Sequence, residues 1–169
     1  FDVLCDGEFY SHLDMGVLGR HNAMNALAAA AAAWMMGIPG ETVSRGLQAF
    51  HGAGRRMEFK GTYNGADVYD DYAHHPDEVA ATLAAVRNAM PGRRLVLAFQ
   101  PHTYSRTSAL FDDFVRELSK ADVLVLAEIY AARERNTIGI SSADVAEKIP
   151  GAVFCETLPE VTAYLKDNV

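Results

Sequence analysis

Two short, continuous apolar segments, RLVLAF at 94–99 and DVLVLAEI at 122–129, constrain the fold of this chain most. Strands that read as uninterrupted apolar runs are typical of a parallel sheet buried on both faces. Helical segments and one further short strand alternate with these runs, at 108–121, 141–149, 152–155 and 158–166. The alternation predicts an α/β fold with a Rossmann-like, mostly parallel sheet and helices on both faces.

The N-terminal part of the chain has a different pattern. HNAMNALAAAAAAWMM at 21–36 predicts a strong helix because alanine has the highest helix propensity, with Asn22 as its cap and Gly37 ending it. A second helix is predicted at about 41–50. The next segment, HGAGRR at 51–56, combines two glycines with two arginines and predicts a domain boundary or hinge.

A hairpin and a helix are predicted next. The segments MEFKGTY and ADVYDDY flank Asn64 and Gly65, the residue pair favoured in two-residue hairpin turns. A helix is then predicted to open at Pro76, because proline suits the first helical position and acidic residues follow it in the first turn.

Charge and cysteine content narrow the function classes. The chain has 169 residues and a net charge of −7, so we expect neither nucleic acid nor an anionic membrane as a partner. Cys5 and Cys155 lie far apart without metal-ligand spacing, which favours a reducing cytoplasm over a disulfide framework or a thiolate zinc site. The apolar run at 26–38 is shorter than the roughly 20 residues that a membrane-spanning helix needs.

Both ends of the sequence read as interrupted. The N-terminus, FDVLCDGEF, has neither an initiator methionine nor a basic leader and begins inside what reads as a strand, and the strand–helix alternation closes on a helix. We therefore expect the chain to be a fragment whose sheet has another strand beyond Val169.

Polar residues concentrate after three of the predicted strands. These segments are DDYAHHP at 70–76, FQPHTYSRT at 99–107 and AEIYAARERN at 127–136. In an open parallel sheet, ligands bind beyond the carboxyl ends of the strands. The pattern predicts one crevice that holds Asp71, Tyr72, His74, His102, Arg106, Tyr130 and Glu134.

The paired histidines of DDYAHHP leave several interpretations open. His74 or His75 can be a helix-entry residue that only bonds a backbone carbonyl, and the pair can form a zinc site with a carboxylate. However, adjacent histidines on an extended chain point in different directions, and the H-x-x-x-H and H-E-x-x-H spacings are absent, so we predict no metal site. Arg106 is either a carboxylate ligand or a surface salt-bridge partner. The sequence also lacks a G-x-x-x-x-G-K-[ST] phosphate loop and a G-x-S-x-G nucleophile motif.

Five segments, in this order, resemble the Mur ligases. GRHNAMNALAA at 19–29 is similar to the adenine-contacting helix start of the family's central ATPase domain, and RRME at 55–58 to the arginine element that opens the C-terminal domain. DDYAHHP, FQPHTYSRT and EIYAARE match strand-end loops of the family's alanine-adding member. The resemblance covers essentially the whole chain. It implies that 1–53 is the helical C-terminal part of the central ATP-binding domain and that 54–169 is the C-terminal ligase domain without its last strand.

The resemblance implies ATP-dependent amide-bond formation in peptidoglycan precursor synthesis. In this reaction ATP, with Mg, phosphorylates the carboxylate of UDP-N-acetylmuramate to an acyl phosphate, which the amine of L-alanine then attacks. The family's glycine-rich phosphate loop, metal ligands and muramoyl-nucleotide domain would precede residue 1. We therefore expect the fragment by itself to be inactive.

The resemblance assigns five residues to the nucleotide. Asn25, with Asn22 and His21 nearby, would contact adenine, because amide side chains offer both a donor and an acceptor. Arg56 would contact the phosphates, and Asp71 the ribose hydroxyls.

Four further residues would form the amino-acid pocket. They are Tyr72, His74, His102 and Arg106, with Arg106 binding the alanine carboxylate and His74 assisting proton movement as the candidate catalytic group. Some relatives carry a second arginine where this chain has Thr103, so carboxylate recognition here would rest on Arg106 alone.

Three other functions remain open at the level of sequence. A sibling Mur ligase attaches a recycled tripeptide to the same nucleotide, and its larger amine would need a different loop from FQPHTYSRT. The chain can also be a stand-alone nucleotide-binding module, or a metal hydrolase that uses His74 and His75.

Overall fold

The computed structural model describes residues 1–17 and 19–169. The chain divides into two compact units, residues 1–59 with 69–71 as unit 1 and residues 60–68 with 72–169 as unit 2. Among the residues that the structure describes, none of the helices is both long enough and apolar enough to cross a membrane.

Unit 1 packs two helices against an antiparallel strand pair. Strands β1 and β2 pair around a tight turn, and only β1 is indicated by the sequence pattern. The core of the unit is built by Val3, Leu13, Ala26, Ala30 and Val43. Its elements are β1 (Asp2–Cys5), β2 (Glu8–His12), α1 (Arg20–Met35) and α2 (Gly40–Gln48).

The predicted cap of α1 is wrong, whereas its predicted end is confirmed. The residue that precedes the helix is Gly19, and Asn22 lies inside the first turn, where its backbone N–H donates to the Gly19 carbonyl at 3.0 Å. A side chain in that position is past the point at which it can cap the helix. At the other end, Gly37 adopts φ 74° and its N–H donates to Trp34, as expected for a glycine that follows a helix.

The predicted hairpin is confirmed, but its second strand is not part of the parallel sheet. Strands β3 (Glu58–Tyr63) and β4 (Ala66–Asp70) form a two-stranded sheet of their own. Asn64 and Gly65 have φ values of 48° and 82°, the left-handed pair of a type I′ turn. The residues of β4 are half-buried or exposed, unlike the continuous apolar runs that enter the buried sheet.

The parallel sheet of unit 2 has helices on both faces, as predicted. Its elements are α3 (Pro76–Ala89), β5 (Val96–Phe99), α5 (Phe111–Leu118), β6 (Val123–Ala127), α6 (Ser142–Glu147), β7 (Val153–Cys155) and α7 (Leu158–Asn168). The strand order is β5–β6–β7, and both pairings are parallel. Leu124 and Leu126 of β6 pack in the core formed with α3, α5 and α6, whereas Val125 and Ala127 pack on the other face with α7.

The helix predicted at 108–121 is wrong in its bounds. Two helices occupy this region, α4 (Tyr104–Ala109) and α5, and the chain leaves helical geometry between them at Leu110, with φ −114° and ψ 26°. The apolar spacing of this segment describes only α5, whose Phe114 and Leu118 are buried in the core. Helix α4 follows the polar loop after β5 instead.

Asp122 joins three elements of unit 2 just before β6. Its carboxylate accepts hydrogen bonds from the Leu95 N–H at 2.7 Å and from the Arg87 guanidinium at 2.8 Å. The Arg87 hydrogen bond, followed by that from Leu95, lowers the pKa of Asp122 to about 2. The group thus stays ionised in the folded protein to a lower pH than an unfolded aspartate, whose pKa is about 3.9.

This depressed pKa predicts part of the acid sensitivity of the chain. The stabilisation that Asp122 provides is complete above pH of about 5 and is lost as the pH falls through 3.9 towards about 2. Asp122→Asn should therefore be less stable than the unsubstituted chain at pH 7. Between about pH 5 and pH 3 it should lose less stability than the unsubstituted chain does. Urea unfolding followed by circular dichroism measures both quantities. The exposed Asp167→Asn is the control, and an Asp122→Asn chain with unchanged acid dependence would contradict the assignment.

Candidate functional site

Backbone pairing continues beyond the ends of β5 and β6 and fixes the two loops that follow them. The Tyr130 N–H donates to Pro101 at 2.8 Å, and the Thr103 N–H donates to Tyr130 at 2.9 Å. His102 and Tyr130 thereby form an isolated parallel bridge. The Gln100 side chain adds a hydrogen bond to the Glu128 carbonyl at 2.9 Å. The polar loops therefore form a rigid edge at the carboxyl end of the sheet.

Four aromatic rings from three segments of unit 2 lie side by side at this edge. The ring centroids are 5.2 Å apart for Tyr72 and His74, 6.1 Å for His74 and His102, and 5.5 Å for His102 and Tyr130. Both tyrosines are about half exposed. The structure confirms that these four side chains lie together, although β4, which leads into the first of the segments, is outside the parallel sheet.

Two buried nitrogens at this edge lack hydrogen-bond partners in the part of the chain that the structure describes. They are Nη1 of Arg106 and Nδ1 of His102. A buried polar group without a partner costs about 1–3 kcal/mol, so such groups are normally paired. A guanidinium N–H donates, and an imidazole nitrogen can donate as well. The two atoms therefore suit an anionic acceptor such as a carboxylate that a ligand supplies.

Arg106 is brought to this edge by an unusual backbone start of α4. Thr103 precedes the helix with φ 68°, a left-handed conformation that threonine rarely adopts. The buried Thr107 hydroxyl then donates to the Thr103 carbonyl at 2.8 Å. Strained residues of this kind cluster at binding sites, where the surrounding structure holds them.

The adjacent histidines of DDYAHHP have different surroundings. The Nδ1 of His74 lies 2.9 Å from the Tyr72 carbonyl, which can only accept, so Nδ1 carries the proton and Nε2 of the neutral ring is the proton acceptor. The same Nδ1 lies 3.3 Å from the Glu78 carboxylate. His75 instead caps α3, because its Nδ1 accepts from the Asp77 N–H at 3.3 Å within a capping box with Glu78. His75 is thus the residue at the helix entry, but it bonds a backbone N–H, and the expected bond to a backbone carbonyl is made by His74 instead.

A glutamate from the loop after β6 supports the loop after β5. The Glu134 carboxylate accepts hydrogen bonds from the hydroxyl and from the backbone N–H of Ser105, the latter at 2.9 Å. These bonds, the hydroxyl first, lower the pKa of Glu134. Ser105 was missed as a site-supporting residue, since its partner is 29 positions away in the sequence.

The five residues predicted to contact a nucleotide all belong to unit 1. His21 and Asn25 are exposed and four residues apart on α1, which places them on one side of the helix, and Asn22 is half-buried. Arg56 is exposed between two residues with positive φ, Arg55 at 57° and Met57 at 48°. Asp71 accepts a hydrogen bond from the Met57 N–H at 2.8 Å, and both residues belong to unit 1.

Comparison with known proteins places this arrangement in a family. Residues 55–169 match the model described as "Mur ligase, glutamate ligase domain". The chain belongs to the Mur ligase family. It is 47% identical to the UDP-N-acetylmuramate–L-alanine ligase of Lachnospira eligens over 99% of this chain and 37% of the relative.

Two solved structures resemble this Mur ligase chain. The UDP-N-acetylmuramate–alanine ligase MurC of Thermotoga maritima superposes with a TM-score of 0.77 and 29% identity, over 94% of this chain and 34% of that protein. A murein peptide ligase of Psychrobacter arcticus has a TM-score of 0.65 and 26% identity, over 90% of this chain and 32% of that one. The chain thus spans about a third of the length of these relatives.

The side chains predicted to contact a nucleotide have donor and acceptor groups that suit one. Asn22 and Asn25 each carry an amide with a donor and an acceptor, and Arg56 carries a cation. Within residues 1–17 and 19–169, no three histidine, cysteine, aspartate or glutamate side chains are grouped closely enough to hold a metal ion.

Proposed function

We propose that this chain forms the amino-acid-binding part of an ATP-dependent ligase that joins L-alanine to UDP-N-acetylmuramate. The observation that carries the proposal is that a buried nitrogen of His102 and one of Arg106 have no hydrogen-bond partner among the described residues, and that the His102 ring lies beside that of His74. The name of the Lachnospira eligens relative supplies the reaction. Because the chain spans only part of that relative, the reaction is attributed to a ligase of full length.

The chemistry that this pocket must support is attack by an amine on an activated carboxylate. A carboxylate is a poor electrophile, so the muramoyl carboxylate first takes the terminal phosphoryl group of ATP and becomes an acyl phosphate. The nitrogen of L-alanine then bonds to the acyl carbon, and inorganic phosphate leaves. The contribution of this chain is to hold the amine in line with that carbon and to accept its proton.

Arg106 and His74 have separate roles in the proposal. The Arg106 guanidinium binds the alanine carboxylate, with His102 as a neighbouring donor, and Tyr72 closes the side of the pocket. The Nε2 atom of His74 accepts a proton from the alanine ammonium, because the Tyr72 carbonyl holds the proton of the neutral ring on Nδ1.

The nucleotide roles proposed for unit 1 follow from donor chemistry. Asn25, with Asn22 and His21, contacts adenine, and Arg56 contacts the phosphates of ATP. Asp71 contacts the ribose hydroxyls, for which a carboxylate is an acceptor. In a ligase of full length, the Mg ion that accompanies ATP would be held by residues of the segment that precedes this chain.

We also propose a domain division and a compartment. Residues 1–53 would end the central ATP-binding domain, and residues 54–169 would form the C-terminal ligase domain, with the glycine-rich segment 51–56 supporting a boundary there. The two free cysteines, Cys5 and Cys155, support a reducing, cytoplasmic setting.

A substrate comparison tests the proposed function. The test uses a chimeric protein, in which this chain replaces the matching segment of the Lachnospira eligens enzyme. This chimera is the full-length ligase of the experiments below. We expect formation of the alanyl product and ADP with L-alanine, and little with a murein tripeptide as the amine. The 169-residue chain alone is the control and should give no product. Preference for the tripeptide would favour the murein peptide ligase activity instead.

A further inference from the structure

The helix that carries Arg106 begins without a cap of its own. Thr103 precedes α4 in a left-handed conformation, and its side chain makes no capping hydrogen bond to the described part of the chain. Helix α4 has only six residues and is separated from α5 by the non-helical Leu110. So short a helix is not stable without external support, because its first turn costs more free energy than its few hydrogen bonds return.

Glu134 provides the missing cap from the loop after β6. Ser105 is the second residue of α4, and both its backbone N–H and its hydroxyl donate to the Glu134 carboxylate. A carboxylate that accepts at a helix start satisfies an otherwise unpaired N–H and interacts favourably with the positive end of the helix. The lowered pKa of Glu134 agrees with a carboxylate that remains charged there.

We propose that Glu134 is a positioning residue for amino-acid binding, because it fixes the start of α4 and with it the direction of the Arg106 guanidinium. Arg106 directly follows Ser105 in the chain, so a shift of the helix start moves its backbone. Its Nη1 atom is buried and has no hydrogen-bond partner in the described part of the chain, so its direction depends on the backbone that carries it. Glu134 acts through Ser105 and Arg106 and has no direct contact with the ligand. The inference rests on the proposed function.

The kinetic test compares variants of the full-length ligase. Glu134→Ala removes both acceptors and should raise the KM for L-alanine on the order of tenfold, the effect of a lost helix cap with a charge-assisted bond. The KM for ATP and kcat should each stay within about twofold of the unsubstituted values. Glu134→Gln should recover most of the loss, because its amide can accept from the Ser105 N–H and donate to the hydroxyl. Glu147→Ala, at an exposed glutamate of α6, is the matched control.

A double variant separates positioning from a general loss of stability. If Glu134 acts through Arg106, the double variant should have a KM for L-alanine less than about twofold above that of Arg106→Lys alone. The proposal would be overturned if the KM increases of the two single variants multiplied fully in the double variant. It would also be overturned if Glu134→Ala alone raised the KM for ATP as much as that for L-alanine, or left the KM for L-alanine unchanged.

Hydrogen exchange on the 169-residue chain decides the structural half of the proposal independently of activity. Glu134→Ala should speed amide exchange in α4 selectively, with α5 unchanged, and equal exchange in both helices would overturn the proposal. If the unsubstituted full-length ligase does not use L-alanine, the proposed function fails, and exchange in α4 still decides whether Glu134 holds the helix.

Discussion

Arg106→Lys should raise the KM for L-alanine about thirtyfold in the full-length ligase, with little change in the KM for ATP. A guanidinium presents two parallel N–H groups to a planar carboxylate, whereas an ammonium group presents a single charge without that geometry. Hydrogen bonds to charged groups contribute about 1.5–3 kcal/mol each, and lysine keeps the charge and one bond. The expected net loss is therefore about 2 kcal/mol, which steady-state kinetics with alanine as the varied substrate measures.

Two further arginines provide the controls for this substitution. Arg94 precedes β5 and so lies at the amino end of the strands, opposite to the candidate site. Arg94→Lys should leave both Michaelis constants unchanged. Arg56→Lys should show the reverse pattern, with weaker ATP binding and unchanged alanine kinetics. The pocket has been assigned to the wrong loop if Arg106→Lys leaves the alanine KM untouched, or if the Arg56 and Arg106 variants lose ATP affinity equally.

Gly40→Ala should destabilise unit 1 by about 3 kcal/mol, at the upper end of the range for overpacked cores. A Cβ atom at Gly40 would overlap the Tyr10 carbonyl oxygen and would lie only 3.2 Å from the Ser11 Cβ. The close approach cannot relax easily, because the Ser11 hydroxyl donates to the Gly40 carbonyl at 2.8 Å and the Tyr10 hydroxyl donates to Ile38 at 2.6 Å. The backbone of β2 would therefore have to move.

Gly46→Ala is the matched control in the same helix. A Cβ atom at Gly46 meets nothing within 4 Å, and the residue is exposed, so this change should stabilise α2 by about 0.5–1 kcal/mol through helix propensity. Urea unfolding followed by the fluorescence of Trp34, the single tryptophan of the chain, reports on unit 1. Equal stabilities for the two variants would contradict the contact between α2 and β2.

The elements that the sequence predicts correctly are those with a strong local signal. The continuous apolar runs predict β5 and β6, Asn64 with Gly65 predicts the hairpin turn, and Pro76 predicts the start of α3. Strand β2 was not predicted, because its residues EFYSH have no regular apolar alternation and depend on pairing with β1. The break at Leu110 was missed because an apolar period runs through the residues that follow it.

The proximity of four candidate-site residues could be expected from the sequence, but the geometry around them could not. The rule that ligands bind beyond the carboxyl ends of parallel strands applies to His102 and Tyr130, which follow β5 and β6. It does not account for Tyr72 and His74, because they follow β4, which is outside that sheet. The sequence did not reveal the left-handed Thr103 or the hydrogen bonds between Ser105 and Glu134, because both depend on how two loops pair in space. Nor did it separate His74 from His75, whose different surroundings follow from the capping box of α3.

The role of Arg106 as the ligand of the substrate carboxylate is tested most directly by removing that carboxylate. L-alaninamide keeps the amine and the methyl group of L-alanine but has no negative charge for a guanidinium to bind. The unsubstituted full-length ligase should prefer L-alanine, and Arg106→Lys should abolish most of this preference while leaving the KM for L-alaninamide nearly unchanged. A similar rise in KM for both amines would show that Arg106 does not bind the carboxylate, and would contradict the assignment of the pocket.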